Sequence, residues 1–143
     1  MEYLWLVFAL LSAIMAALVA IFGKLGLEGV DTNTATAIRA VIMALFLIGV
    51  VVLLGKTGEI TTIFSNNTAM NWIILSGIAG ALSWLFYFMA LKLGNVTQVA
   101  PIDRMSVVFA VILAIIFLGE TVSLTAGIGI LLMVLGAIFL VLG

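Results

Sequence analysis

Residues 3–23 read YLWLVFALLSAIMAALVAIFG, an unbroken run without charge or proline. An α-helix rises about 1.5 Å per residue, so about 20 residues cross the ~30 Å hydrocarbon core of a bilayer. The run is long enough to span and too long for the apolar region of a cleavable signal, and Met1-Glu2 ahead of it supplies no basic segment. It is expected to form a first transmembrane helix, with Tyr3 and Trp5 as an interfacial aromatic anchor.

The same arithmetic finds four further runs, at about 32–55, 71–91, 96–119 and 122–143. The expected fold class is an all-α integral membrane protein, a bundle of five transmembrane helices in one domain over residues 1–143. Apolar residues are continuous rather than alternating, so a β-barrel does not fit. Lys56 to Thr68 carries Gly58, Glu59 and the pair Asn66-Asn67, and reads as the longest loop. The other connections are short, so consecutive helices should be neighbours.

Bulk composition agrees. Hydrophobic residues make up 66% of the chain, charged residues 8%, and mean hydropathy is +1.50. A water-soluble domain needs roughly 25% charged residues to cover its surface, so this chain is solvated by lipid. Net charge is −1, which offers no basic field to nucleic acid. Histidine and cysteine are both absent, which removes His-dependent triads, thiolate or imidazole metal sites and disulfides. No catalytic residues, metal or cofactor are expected, and the chain does not read as an enzyme.

The informative residues are the polar ones inside spans. Arg39 lies early in the second span, where it either snorkels to the near surface or serves a site. In the fourth, Pro101 precedes Asp103 and Arg104, so the helix either starts at Pro101 or kinks there. Were Pro101 its first residue, Asp103 would complement the helix dipole, and capping weighs evenly against ligand binding. Arg104 lies several ångströms inside the core, since the stretch to Gly119 covers about 24 Å at the helical rise. One of Asp103 and Arg104 is free to pair with Arg39 while the other faces a water-filled cavity. In the third span Ser76 with Gly80, Gly77 with Ala81 and Ala79 with Ser83, each pair four residues apart, are expected to let helices approach closely. Lys92 reads as an interfacial anchor first, and Glu120 as an interfacial residue beside a hydroxyl cap that starts the fifth helix.

Five spans put the termini on opposite sides. Lys24, Arg39, Lys92 and Arg104 fall on one side and Lys56 on the other, which favours N-out, C-in. Without the two arginines inside spans the bias is weak enough to permit both orientations.

Tyr87-Phe88-Met89-Ala90-Leu91-Lys92-Leu93-Gly94, Val99-Ala100-Pro101 and Leu118-Gly119-Glu120 together resemble an EamA-like domain of the drug/metabolite transporter superfamily. Phe22-Gly23-Lys24, Arg39-Ala40, Gly127 and Gly136 extend the likeness over almost the whole chain. The resemblance implies half of a ten-helix fold, whose common form is a tandem of two five-helix domains in opposite orientations. It also implies a prokaryotic inner-membrane carrier of a small metabolite, completed by a second copy. A homodimer is therefore expected, with an antiparallel pair favoured although the charge count argues against it. The first span lacks the embedded glutamate of the small multidrug exporters. Arg39 and Arg104 against Asp103 leave a residual positive charge suited to an anion or zwitterion. Arg39, Pro101, Asp103 and Arg104 are the substrate-binding candidates, with Lys92, Trp84 and Tyr87 as secondary ones. The alternatives are a non-transporting subunit that packs with a partner, or a small cation exporter.

Overall fold

The computed structural model describes residues 3–143; Met1 and Glu2, on which the reading of the N-terminus rests, lie outside the described residues. Seven α-helices follow one another: α1 (Leu4–Gly26), α2 (Thr32–Leu53), α3 (Thr57–Ser65), α4 (Asn67–Leu93), α5 (Val96–Asp103), α6 (Ser106–Leu113) and α7 (Leu124–Leu142), with no strand among the described residues. α6 runs on into a π-turn over Ala114–Leu118. Among the described residues, five stretches are long and apolar enough to cross a membrane: α1, α2, α4, the composite Val96–Leu118, and α7. The protein is a multi-pass membrane protein of the expected fold class.

The segment Lys56–Thr68 is a correction. It holds α3, where Glu59 in the first turn complements the dipole and Ile60, Ile63 and Phe64 recur at helical spacing. α4 begins at Asn67 because the Asn66 side chain accepts from the Ala69 amide at 3.1 Å, so the asparagine pair starts a helix rather than filling a loop. Asp31 caps α2 in the same way, taking the Thr34 amide at 2.8 Å, and Ser123 caps α7 through the Ala126 amide at 3.2 Å.

The fourth span is broken. Asn95, extended, precedes a helix that starts at Val96, so Pro101 is internal and Asp103 closes α5 instead of opening it. The reading of Asp103 as a first-turn cap is therefore withdrawn. Pro101 offers no amide to the Thr97 carbonyl. Beyond it the ladder tightens: Met105 donates to Ile102 at 2.9 Å and Val107 to Arg104 at 3.1 Å before α6 resumes. The span ends at Gly119, whose φ of 68° is open to glycine at little cost and turns the Glu120 amide onto the Ala114 carbonyl at 3.3 Å.

The chain divides into two compact units. One is Gly23–Lys92; the other joins the residues up to Phe22 with Leu93–Gly143, where α5 packs against α7. Burial is sparse. Among the described residues, the buried apolar ones are Ala20, Leu27, Tyr87, Phe88, Leu91 and Ala137. Four of these, Leu27, Tyr87, Phe88 and Leu91, gather in the Gly23–Lys92 unit where the end of α1 meets the end of α4. Elsewhere the apolar faces look outward, as a lipid-solvated chain requires.

Candidate functional site

In the Gly23–Lys92 unit, α2 and α4 flank an open cavity of about 660 Å³. The α2 wall is Asn33, Ala37, Ala40, Ala44 and Leu47, which share a face because they recur every three or four residues. The α4 wall is Gly77, Gly80 and Ala81, closed at one end by Trp84. A Cβ on Gly77 or Gly80 would meet nothing within 4 Å. The small residues of α4, expected to bring helices into contact, instead leave room within this chain. Two further small residues in the series, Ser76 and Ser83, are exposed.

Among the described residues, Arg39 is the only charged side chain lining this cavity. Half-buried within the second span, its guanidinium carbon stands 3.6 Å from the centroid of the Trp84 ring and 5.0 Å from that of Phe88. The ring quadrupole favours a cation over its face, by about 2 kcal/mol or more where water is excluded. The arginine also borders a second cavity of about 540 Å³, lined by Gly26, Val30, Asp31, Thr34 and Ile42 among others.

Trp84 is itself held. Its ring meets Tyr87 edge-on, at 5.8 Å and 86°, and Phe88 at 5.5 Å. The Phe88 ring in turn lies so close to the α1 backbone at Gly23 that any Cβ there would collide with it. Two lysines fasten the same end of the unit. Lys24 Nζ donates to the Leu91 carbonyl at 2.5 Å, and Lys92 Nζ to the Val30 carbonyl at 2.6 Å. Each satisfies a backbone oxygen that its own helix or loop leaves open. Thr36, buried, folds its hydroxyl back onto the Thr32 carbonyl at 2.8 Å.

The remaining sequence candidates lie in the other unit. Pro101 and Asp103 are half-buried in α5, and Arg104 is exposed at the break between α5 and α6. That break leaves irregular backbone beside two ionisable groups within one span, an arrangement seen where transporters bind substrate. Arg39, Trp84 and Tyr87 are thus brought together in one unit, Pro101, Asp103 and Arg104 in the other. The sequence marks Gly77, Gly80 and Ala81 as packing positions rather than a cavity wall and does not mark Asn33, whose spacing with Ala37, Ala40 and Ala44 is the available signal.

Residues 3–142, nearly the whole chain, match the EamA-like transporter family. The chain belongs to that family. A relative from Sinorhizobium sp., described as an uncharacterized transporter in the cobO 3' region, is 37% identical over 142 residues, covering 98% of each chain. No solved structure matches. Membership points to a membrane transporter rather than an enzyme. It also gives the short EamA-like motifs physical content. Gly23 admits the Phe88 ring, Lys24 and Lys92 tie the ends of α1 and α4, and Leu118-Gly119-Glu120 is a left-handed helix stop.

Proposed function

We propose that this EamA-like protein is a secondary transporter of a small anionic or zwitterionic metabolite across a prokaryotic inner membrane, working as a homodimer by alternating access. The observation that carries the reading is Arg39: a cation inside a span, backed by an aromatic face instead of a carboxylate, on the wall of a largely apolar cavity. A charge held in a span is costly, about 2.5–3.5 kcal/mol on insertion scales, and such residues ordinarily face a cavity or a partner group. Contact with a ring face uses none of the N–H donors of the guanidinium, which stay available to a carboxylate or phosphate.

Pro101, Asp103 and Arg104 are the substrate-binding candidates of the other unit in this reading. The broken span frees backbone carbonyls and supplies one charge of each sign, which suits substrate passage or ion coupling. Pairing with a second copy would cover part of the apolar faces that one protomer leaves to lipid. Lys92 is committed to the Val30 carbonyl and acts as an anchor.

Thermal stability and liposome counterflow measured on one Arg104→Leu preparation test the assignment. A stable, inactive variant supports a pathway role. A destabilised variant whose folded fraction transports normally removes Arg104 from the pathway.

A further inference from the structure

Resting on that reading, we infer that the α2–α4 cavity is a binding site for a singly charged anion with an apolar body, a monocarboxylate rather than a zwitterion or a dianion. Among the described residues, the cavity wall holds one cation, Arg39, and no acid. A single guanidinium neutralises one negative charge; a second carboxylate would enter without a partner, and burying it unpaired is strongly unfavourable. The ammonium of a zwitterion would meet only the neutral groups of Asn33 and Thr36 and the occupied face of Trp84.

The rest of the wall sets the body. Beyond Arg39, the lining is Ala40, Met43, Ala44 and Leu47 opposite Gly77 and Gly80, with no hydrogen-bonding side chain. A hydrocarbon or aromatic group is favoured there by its removal from water, whereas a hydroxylated one would lose hydrogen bonds it could not replace. About 660 Å³ is ample for a ring and a short chain. Trp84 has the positioning role. It holds the guanidinium at the cavity wall without consuming its charge, so an arriving carboxylate competes with a ring face rather than with another carboxylate.

The test uses full-length protein in nanodiscs of neutral phosphatidylcholine. Trp5→Phe and Trp72→Phe leave Trp84 as the one indole, since neither replaced residue lines the cavity. Titration with 4-phenylbutyrate should shift Trp84 emission saturably as the guanidinium moves toward the anion. 4-Phenylbutan-1-ol and 4-phenylbutan-1-amine should give no saturable shift, and glutarate and phenylalanine should bind about tenfold or more weakly than 4-phenylbutyrate and 3-phenylpropanoate respectively. Arg39→Gln should weaken 4-phenylbutyrate by about ten- to a hundredfold, and Arg39→Lys by less, because the lysine keeps the charge. Gly80→Leu extends a side chain from a position where a Cβ meets nothing within 4 Å, and should weaken 4-phenylbutyrate while helical content stays at the parent value.

Equal binding of the alcohol, or tight binding that survives Arg39→Gln, overturns the proposal. So does phenylalanine binding as tightly as 3-phenylpropanoate. A Trp84 shift on adding phosphatidylglycerol that 4-phenylbutyrate cannot reverse makes this a lipid site and also overturns it. Efficient crosslinking of Gly80→Cys to a second copy would show that the cavity is filled by protein, with the same consequence. Binding is read without flux, so absence of counterflow for every metabolite would remove the transport reading and leave this result standing. Arg39-dependent transport confined to zwitterions would do the reverse.

Discussion

Arg39 and Trp84 sit on different spans of one unit, with the guanidinium carbon 3.6 Å from the indole centroid. The contact requires α4 to present Trp84 toward α2, and the chain arranges this through Tyr87 and Phe88, both buried, and through the bare backbone at Gly23. Replacing the indole by an aliphatic side chain leaves the arginine without its counterpart. Trp84→Leu should lower stability by about 0.5–2 kcal/mol, and Trp84→Phe by less, since phenyl keeps a weaker quadrupole. Thermal unfolding of the two variants in one detergent gives the comparison. A Trp84→Leu variant as stable as the parent would mean that the ring contributes nothing to holding the charge.

Lys24 and Lys92 form a pair of crossed fastenings at the end of the same unit. Hydrogen bonds from charged donors contribute about 1.5–3 kcal/mol, less where water competes, and Lys92 is exposed while Lys24 is half-buried. Lys24→Met should therefore destabilise more than Lys92→Met. Per folded molecule, Lys92→Met should transport at the parent rate. A Lys92→Met protein of full stability and no activity would instead restore Lys92 as a ligand.

Asp31 supplies a pH-dependent test outside the spans. The Thr34 amide and hydroxyl, and Lys92 nearby, hold its carboxyl below the ordinary value of 3.8. A carboxylate depressed in the folded state favours folding above its unfolded pKa, and that contribution disappears as pH falls through the folded value. The melting temperature of the parent should fall more steeply below about pH 4 than that of Asp31→Asn, while the two curves run parallel from pH 5 to 8. Parallel curves down to pH 2 would show that the cap carries no proton linkage.

Much of this was legible in the residues. Long apolar runs measured against bilayer thickness point to all five spans, because lipid leaves the backbone few other choices. Arg39 stood out for the same reason: a charge within a span is conspicuous. Its neighbour was harder to foresee, since an arginine in a span invites the search for an acid, and Asp103 was at hand. The aromatic partner depends on where α4 faces, which Gly23 and Phe88 decide through a close contact that leaves no periodic trace. α3 was missed because polar residues and Gly58 outweigh three apolar positions in so short a segment. The glycines of α4 carry an ambiguous signal, as small residues mark both tight helix contacts and open space.

Five spans place successive connections on alternate sides of the membrane. Reporter fusions after Lys24, Glu59, Lys92 and Glu120 should alternate between compartments. Two neighbouring connections reporting the same side would remove a span. The Glu59 fusion falls within α3, so a reporter after Lys56 makes a control that leaves the short helix intact.

The central claim is that the Arg39 charge binds the transported solute, and counterflow in proteoliposomes tests it directly. Vesicles preloaded with a mixture of unlabelled monocarboxylates and amino acids are assayed for uptake of labelled members. The parent should show saturable exchange of at least one anion. Arg39→Leu should abolish it while keeping the parent's helical content and elution position, and Arg39→Lys should retain roughly a tenth or more of the rate, since it keeps charge but loses the planar fork. A folded Arg39→Leu protein exchanging the same solute at the parent rate would contradict the account.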